Sequence, residues 1–293
     1  MLRRLFLTLA ALVLAGAARA APPLVDGAWL QARLGDPDVV IVDMSGDETQ
    51  YRRFHIPGAV HLPFGALVQR GRDGVVLRVP DARIFALLGQ LGIRRESHVV
   101  VYDDIGALNA GRLFWELERI GHPKVSVLDG GLVRWILDGR PVTQEVPAPR
   151  PAVYRAEGGG RDNEIAHEAV RRLVDEGGAV LLDVRSEAEY VGDPRQPRSG
   201  HIPGARFWPW DTTVRWDAGF VLEDPATLEA SLAALGIRDK DTPIVTYCRS
   251  GHRASQAYFV LRRLGFTRVR LYDGSMLQWS RDPQAPLKRG RAP

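Results

Sequence analysis

The stretch Pro243-Ile244-Val245-Thr246-Tyr247-Cys248 decides the fold, because it has a twin in His98-Val99-Val100-Val101-Tyr102-Asp103. Each is a short apolar run rich in valine and isoleucine. A helical stretch follows each one, Ala254 to Leu264 in the later half and Leu113 to Ile120 in the earlier half. Another apolar run comes next, Val269 to Tyr272 or Val125 to Leu128. Buried runs of this length that alternate with amphipathic helices imply a parallel sheet covered on both faces.

Working outward, the correspondence continues in the same order. Val39-Val40-Ile41-Val42-Asp43 precedes His55-Ile56-Pro57-Gly58-Ala59, and Val180-Leu181-Leu182-Asp183 precedes His201-Ile202-Pro203-Gly204-Ala205. Val127-Leu128-Asp129-Gly130-Gly131 with Trp135 matches Leu271-Tyr272-Asp273-Gly274-Ser275 with Trp279. The offset is about 140 to 146 residues. A repeat that long is a duplicated domain rather than a solenoid unit. The expected fold class is therefore α/β, with two similar domains at 21–140 and 164–293. The segment 141–163 between them is rich in proline and glycine, as a connector would be.

The first residues read differently. Arg3 and Arg4 precede an uncharged apolar run from Leu5 to Ala15, and Ala18-Arg19-Ala20 follows. This is the pattern of a secretory signal peptide, residues 1–20, with cleavage expected after Ala20. The run is too short to span a hydrocarbon core of roughly 30 Å. The expected location is periplasmic or secreted, with no membrane attachment after cleavage. The formal net charge is +4 over 293 residues. That suits a small anionic substrate. No basic run with interleaved aromatics suggests nucleic acid. The histidines are scattered, so neither a metal nor another cofactor is expected, and the chain is expected to be a monomer.

Cys248 is the only cysteine, so an internal disulfide is excluded. Its context is Thr246-Tyr247-Cys248-Arg249-Ser250-Gly251-His252-Arg253-Ala254-Ser255. A buried strand ends at the cysteine and a helix begins shortly after. Ligands of open α/β sheets bind at the carboxyl ends of strands. Loop amides and the positive end of a helix there hold an anion and favour thiolate over thiol. Gly251 permits a tight backbone, and Arg249 and Arg253 add fixed positive charge. His252 reads equally as a hydrogen-bonding partner of a leaving group or as a solvated loop residue. His55 and His201 recur in both halves and read as structural. Trp208, Trp210 and Trp279 read as packing or cleft-wall residues.

These motifs, together with Asp183-Val184-Arg185, Ser199-Gly200-His201-Ile202-Pro203-Gly204-Ala205 and Tyr272-Asp273-Gly274-Ser275, resemble the rhodanese family over nearly the whole chain. The resemblance implies two tandem rhodanese-like domains and a sulfurtransferase. Catalytic Cys248 would carry a persulfide taken from thiosulfate or 3-mercaptopyruvate and passed to cyanide or another thiophilic acceptor. It implies donor binding by Arg185, Arg249, Ser250, Gly251, His252 and Arg253. Arg185 reads as well as a surface partner of Glu187 or Glu189. Arg249 looks like the thiosulfate-preferring members, although Ser250 stands where those have lysine. Ser250 and Gly251 look like the mercaptopyruvate-preferring members, although His252 and Arg253 then depart. Two arginines favour the doubly charged thiosulfate.

The first half resembles the inactive domain of such tandems. Asp103 and Asp104 stand at the cysteine's place, so that loop is expected to repel anions. Its domain would cover the cleft and stabilise the second. Cysteine-dependent phosphatases have related loops, with arginine six positions after the cysteine. Here that position is Ala254, and Arg253 comes one residue early. A sulfur-delivery module with little turnover is the other alternative.

Overall fold

The computed structural model describes residues 21–156 and 159–293, so the expected signal peptide lies outside the described residues. Each half forms one parallel sheet. The first runs, in spatial order, Leu24–Val25, Val125–Leu128, His98–Tyr102, Val39–Asp43 and Val60–His61. The second runs Val269–Leu271, Ile244–Tyr247, Val180–Asp183 and Arg206–Phe207. In each, the twin valine-rich run lies inside the sheet. Its residues face both ways, as a doubly covered strand requires. Val99 and Val101 join the core that also holds Leu113 and Leu117, while Val100 and Tyr102 pack with Leu30 and Trp135.

The His-Ile-Pro-Gly-Ala motif is structural in both domains. His55 stacks on Tyr51 at 4.1 Å between ring centroids, and His201 on Tyr190 at 3.8 Å. Tyr51 and Tyr190 each donate through the hydroxyl to the motif's last carbonyl, Ala59 or Ala205, at 2.7 Å. The amides of Ile56 and Ile202 donate to Tyr102 and Tyr247 at 3.2 Å, which ties the motif to the end of the twin strand.

The domains meet through helices Ala110–Arg119 and His252–Arg263. They approach so closely that a Cβ on Gly111 would lie 2.8 Å from the Gln256 Cα. One apolar core runs across this junction and includes Phe114 and Phe259, whose rings meet edge to face at 5.0 Å. Two small antiparallel hairpins, Val68–Arg70 with Val76–Arg78 and Val214–Arg215 with Val221–Leu222, reach across in opposite directions. The Arg78 amide donates to Asp273 Oδ2 at 2.6 Å, and the Leu222 amide donates to Asp129 Oδ1 at 2.9 Å. Each domain thus anchors the other's Asp-Gly turn. The segment between the domains also packs. Thr143 bridges to His55, and the Ala152 amide donates to Gly89.

Candidate active site

Cys248 follows the strand Ile244–Tyr247 directly, and the helix His252–Arg263 begins four residues on. Between them Gly251 has φ +79°, and a Cβ there would lie 2.3 Å from Asp273 Oδ1. Only glycine fits that turn without strain. The loop is fixed from beside it by the Asp-Gly-Ser turn. Ser275 Oγ accepts from the amides of Cys248 and Gly251, both at 3.1 Å, and donates to the Tyr272 carbonyl. Ser275 has φ 47°, strained for a residue with a side chain. The amides of Met276 and Leu277 donate to the carbonyls of Cys248 and Arg249.

The sequence suggests a loop whose amides all face an anion. Two of them are instead taken by Ser275. Among the described residues no acceptor is assigned to the amides of Arg249, Ser250, His252, Arg253 and Ala254. The first domain shows what such a loop holds. Asp103 turns its buried carboxylate into its own loop and accepts from the amides of Ile105, Ala107, Asn109 and Ala110 at 2.7 to 3.0 Å. Burial pushes that carboxyl up, and the four amides hold it down. The first loop therefore does not merely repel anions. Its amides are occupied by its own carboxyl group.

The basic residues are placed differently from expectation. Arg185 is buried, 5 % exposed, and makes a forked contact to Asp183 with a further bond to the Gly200 carbonyl. It pairs with neither Glu187 nor Glu189. Glu189 belongs to Arg253, which grips it at 2.7 and 2.9 Å. Burial opposes ionisation of Glu189, but the Arg253 fork and the Ser186 amide hold its carboxyl down to about 2. Both arginines thus carry internal counterions. Arg249 is exposed and has no ion pair among the described residues. It lines a groove of about 460 Å³ with Arg185, Glu189, Arg198 and Met276. Ser250 is half-buried.

His252 is not solvated. Its ring stacks on Phe64 of the first domain at 3.8 Å, and Nε2 lies 2.7 Å from Asn109 Oδ1. Burial, aided by Arg112 and Arg253, lowers it to about 4, so it is neutral at physiological pH. Cys248 itself is 1 % exposed, far less open than a thiol in a surface cradle, and it is not among the groove's walls.

Four residues escaped the sequence reading: Ser275, Asp273, Arg112 and Asn109. Arg112 is fully buried and donates to Asp273 Oδ1 at 2.5 Å and Oδ2 at 3.2 Å, with Glu116 as a second counterion. A charged pair at domain contact leaves no local motif. The turn Asp273-Gly274-Ser275 was visible as a repeat and as a family motif, but with no role for its side chains. Among the described residues no group of histidine, cysteine and carboxylate side chains is placed to hold a metal.

Fold and loop together define a tandem α/β protein with a cysteine at the carboxyl end of one sheet's central strand. The rhodanese-like domain model matches residues 26–138 and again 166–282, and the chain belongs to that family. It is 36 % identical to the sulfur carrier protein TtuD of Thermus thermophilus over 285 residues, covering 91 % of this chain and 96 % of that one. It is 34 % identical to the thiosulfate sulfurtransferase of Azotobacter vinelandii over 275 residues, covering 91 % and 97 %. The crystal structure of SseA from Escherichia coli, described as a 3-mercaptopyruvate sulfotransferase, superposes with a TM-score of 0.74 at 28 % identity, covering 87 % and 99 %. The chain is a rhodanese-type sulfurtransferase.

Proposed function

We propose that Cys248 carries sulfane sulfur as a persulfide, taken from thiosulfate and passed to cyanide or a thiol. One observation carries this reading. The first domain's loop wraps its amides around a carboxyl group, and the second domain's loop offers a thiol and five amides that have no acceptor among the described residues. In the first step the Cys248 thiolate attacks the outer sulfur of thiosulfate. A new S–S bond forms as the old one breaks, and sulfite leaves with the bonding pair. The negative charge then sits on the terminal sulfur, opposed by the loop amides. In the second step the acceptor takes that sulfur and Cys248 returns as thiolate; with cyanide the product is thiocyanate. Neither half requires a proton.

Arg249 draws the donor in through the groove. Arg185, already paired with Asp183, lines its wall, as does Glu189, the partner of Arg253. Thiosulfate is favoured by this free arginine and by the names of several relatives, since the argument from two free arginines no longer applies. Rates with thiosulfate and with 3-mercaptopyruvate on one preparation test the donor. A higher kcat/KM with thiosulfate is expected, and a higher value with 3-mercaptopyruvate would reverse the assignment.

A second reading, a carrier loaded once for a protein acceptor, draws on the burial of Cys248 and on the relative named as a sulfur carrier. Repeated turnover with cyanide would set it aside. The leader-like residues 1–20 support export to the periplasm or beyond as the setting.

A further inference from the structure

In both domains the residue before the stacked tyrosine ties down the neighbouring loop. Gln50, before Tyr51, donates from Nε2 to Asp104 Oδ2 at 2.9 Å, one residue beyond Asp103. Glu189, before Tyr190, accepts from Arg253 at 2.7 and 2.9 Å, five residues beyond Cys248. The tie is a neutral amide in the loop that holds its own carboxyl group. It is a carboxylate gripping a cation in the loop where, on the proposed reading, an outside anion has to be admitted.

Three features make this pair exchangeable. Both side chains reach solvent, Arg253 at 22 % and Glu189 at 33 % exposure, and ion pairs at that depth hold weakly. Of the two, only Glu189 lines the groove of about 460 Å³ beside Arg249. Glu189 also has other partners. The Ser186 amide and hydroxyl donate to its Oε2 at 3.2 and 3.0 Å, so its carboxylate is not stranded when Arg253 lets go. Burial opposes the Arg253 charge, while Glu189 and then the Cys248 sulfur favour it. The guanidinium is thus within the field of both the groove carboxylate and the thiol.

We propose that Glu189 is an internal competitor of the sulfur donor: its carboxylate holds Arg253 in the resting enzyme, an incoming dianion takes that guanidinium from it, and Glu189 thereby sets how strongly dianions bind beside Cys248. The exchange rests on the reading of the Cys248 loop as the donor site. A monocarboxylate would only repeat the contact that Glu189 already makes. A dianion brings a second charge to the same fork and to the open amides. When sulfite leaves, Glu189 closes again on Arg253, which favours release. The exchange itself makes and breaks no covalent bond.

Sulfate, a dianion with no sulfur to give, is the probe, titrated by calorimetry into the unaltered protein and three variants. Its binding reports on Arg253 whether or not thiosulfate loads Cys248. A protein that binds sulfate as expected yet gains no sulfur would fail the persulfide reading alone. In Glu189→Gln, sulfate should bind at least about threefold more tightly. KM for thiosulfate should fall by a similar factor, with kcat changed less. Loss of a merely structural tie cannot give a gain in affinity. Asp193→Asn removes a carboxylate of the same groove that pairs with Arg195 and not with Arg253, and should leave sulfate within about twofold. Arg253→Gln should weaken sulfate at least about tenfold, a result that reports even if Glu189→Gln does not fold. The proposal is overturned if Glu189→Gln binds sulfate no more tightly than the unaltered protein, if Asp193→Asn gains as much, or if Arg253→Gln binds sulfate undiminished.

Discussion

The Asp103 and Cys248 loops leave equivalent strands and enter equivalent helices, yet one is closed on itself and the other is held open. Asp103 satisfies four amides with its own side chain. Around Cys248 a neighbouring turn does part of that work. Ser275 holds two amides, Asp273 seats Gly251, and Arg112 of the first domain holds Asp273. On the proposed reading, the same backbone serves stability in one domain and chemistry in the other. The difference is whether the anion is built in or brought by a substrate. Arg112 of the first domain thereby supports the turn that holds the Cys248 loop.

The comparison can be broken at several points. Cys248→Ser should abolish sulfur transfer in a thiosulfate–cyanide assay while costing about 1–3 kcal/mol in urea denaturation, because it places a hydroxyl where the thiol packs in the apolar core. Arg112→Ala leaves buried Asp273 with the Arg78 amide but no cation, and Glu116 with Arg119 alone. It should cost about 3–5 kcal/mol in urea denaturation, with part regained in Arg112→Lys. Asp103→Ala should cost about 3 kcal/mol by leaving buried amides unpaired, yet turnover per folded molecule should hold. A full loss of turnover there would show that the first loop takes part in the chemistry.

The smallest effect concerns His252. Its folded value of about 4 lies below its ordinary 6.5, so the folded protein binds fewer protons than the unfolded chain between those limits. Stability is therefore fully present above pH 6.5 and falls as pH drops toward 4. His122, also lowered to about 4 by burial, acts in the same direction. In His252→Gln, Tm should fall less steeply between pH 7 and pH 5, and an unchanged slope would remove His252 from the interface account.

Three strands of each sheet and the helix after the twin run were legible because a doubly buried strand and an amphipathic helix write their periods locally, whereas the two-residue edge strands Leu24–Val25, Val60–His61 and Arg206–Phe207 are too short to do so. The helix expected from Ala254 to Leu264 runs His252–Arg263, and the run Val125–Leu128 is a strand over those residues. The cysteine's position at a strand end followed from the same pattern. The charge partners did not. Arg253 looked like a free cation because Glu189 reaches it through folding, and Arg185, read as a donor ligand or a partner of Glu187 or Glu189, instead turns back onto Asp183 of its own motif. His252 looked like a loop residue because Phe64 and Asn109 belong to the other domain.

The most direct test is the intact mass of the protein after thiosulfate, before and after cyanide. Cys248 is expected to gain a single sulfur atom that cyanide removes as thiocyanate, with no gain in Cys248→Ser. An unmodified protein, or a gain that survives in Cys248→Ser, would contradict a persulfide held at the end of this strand.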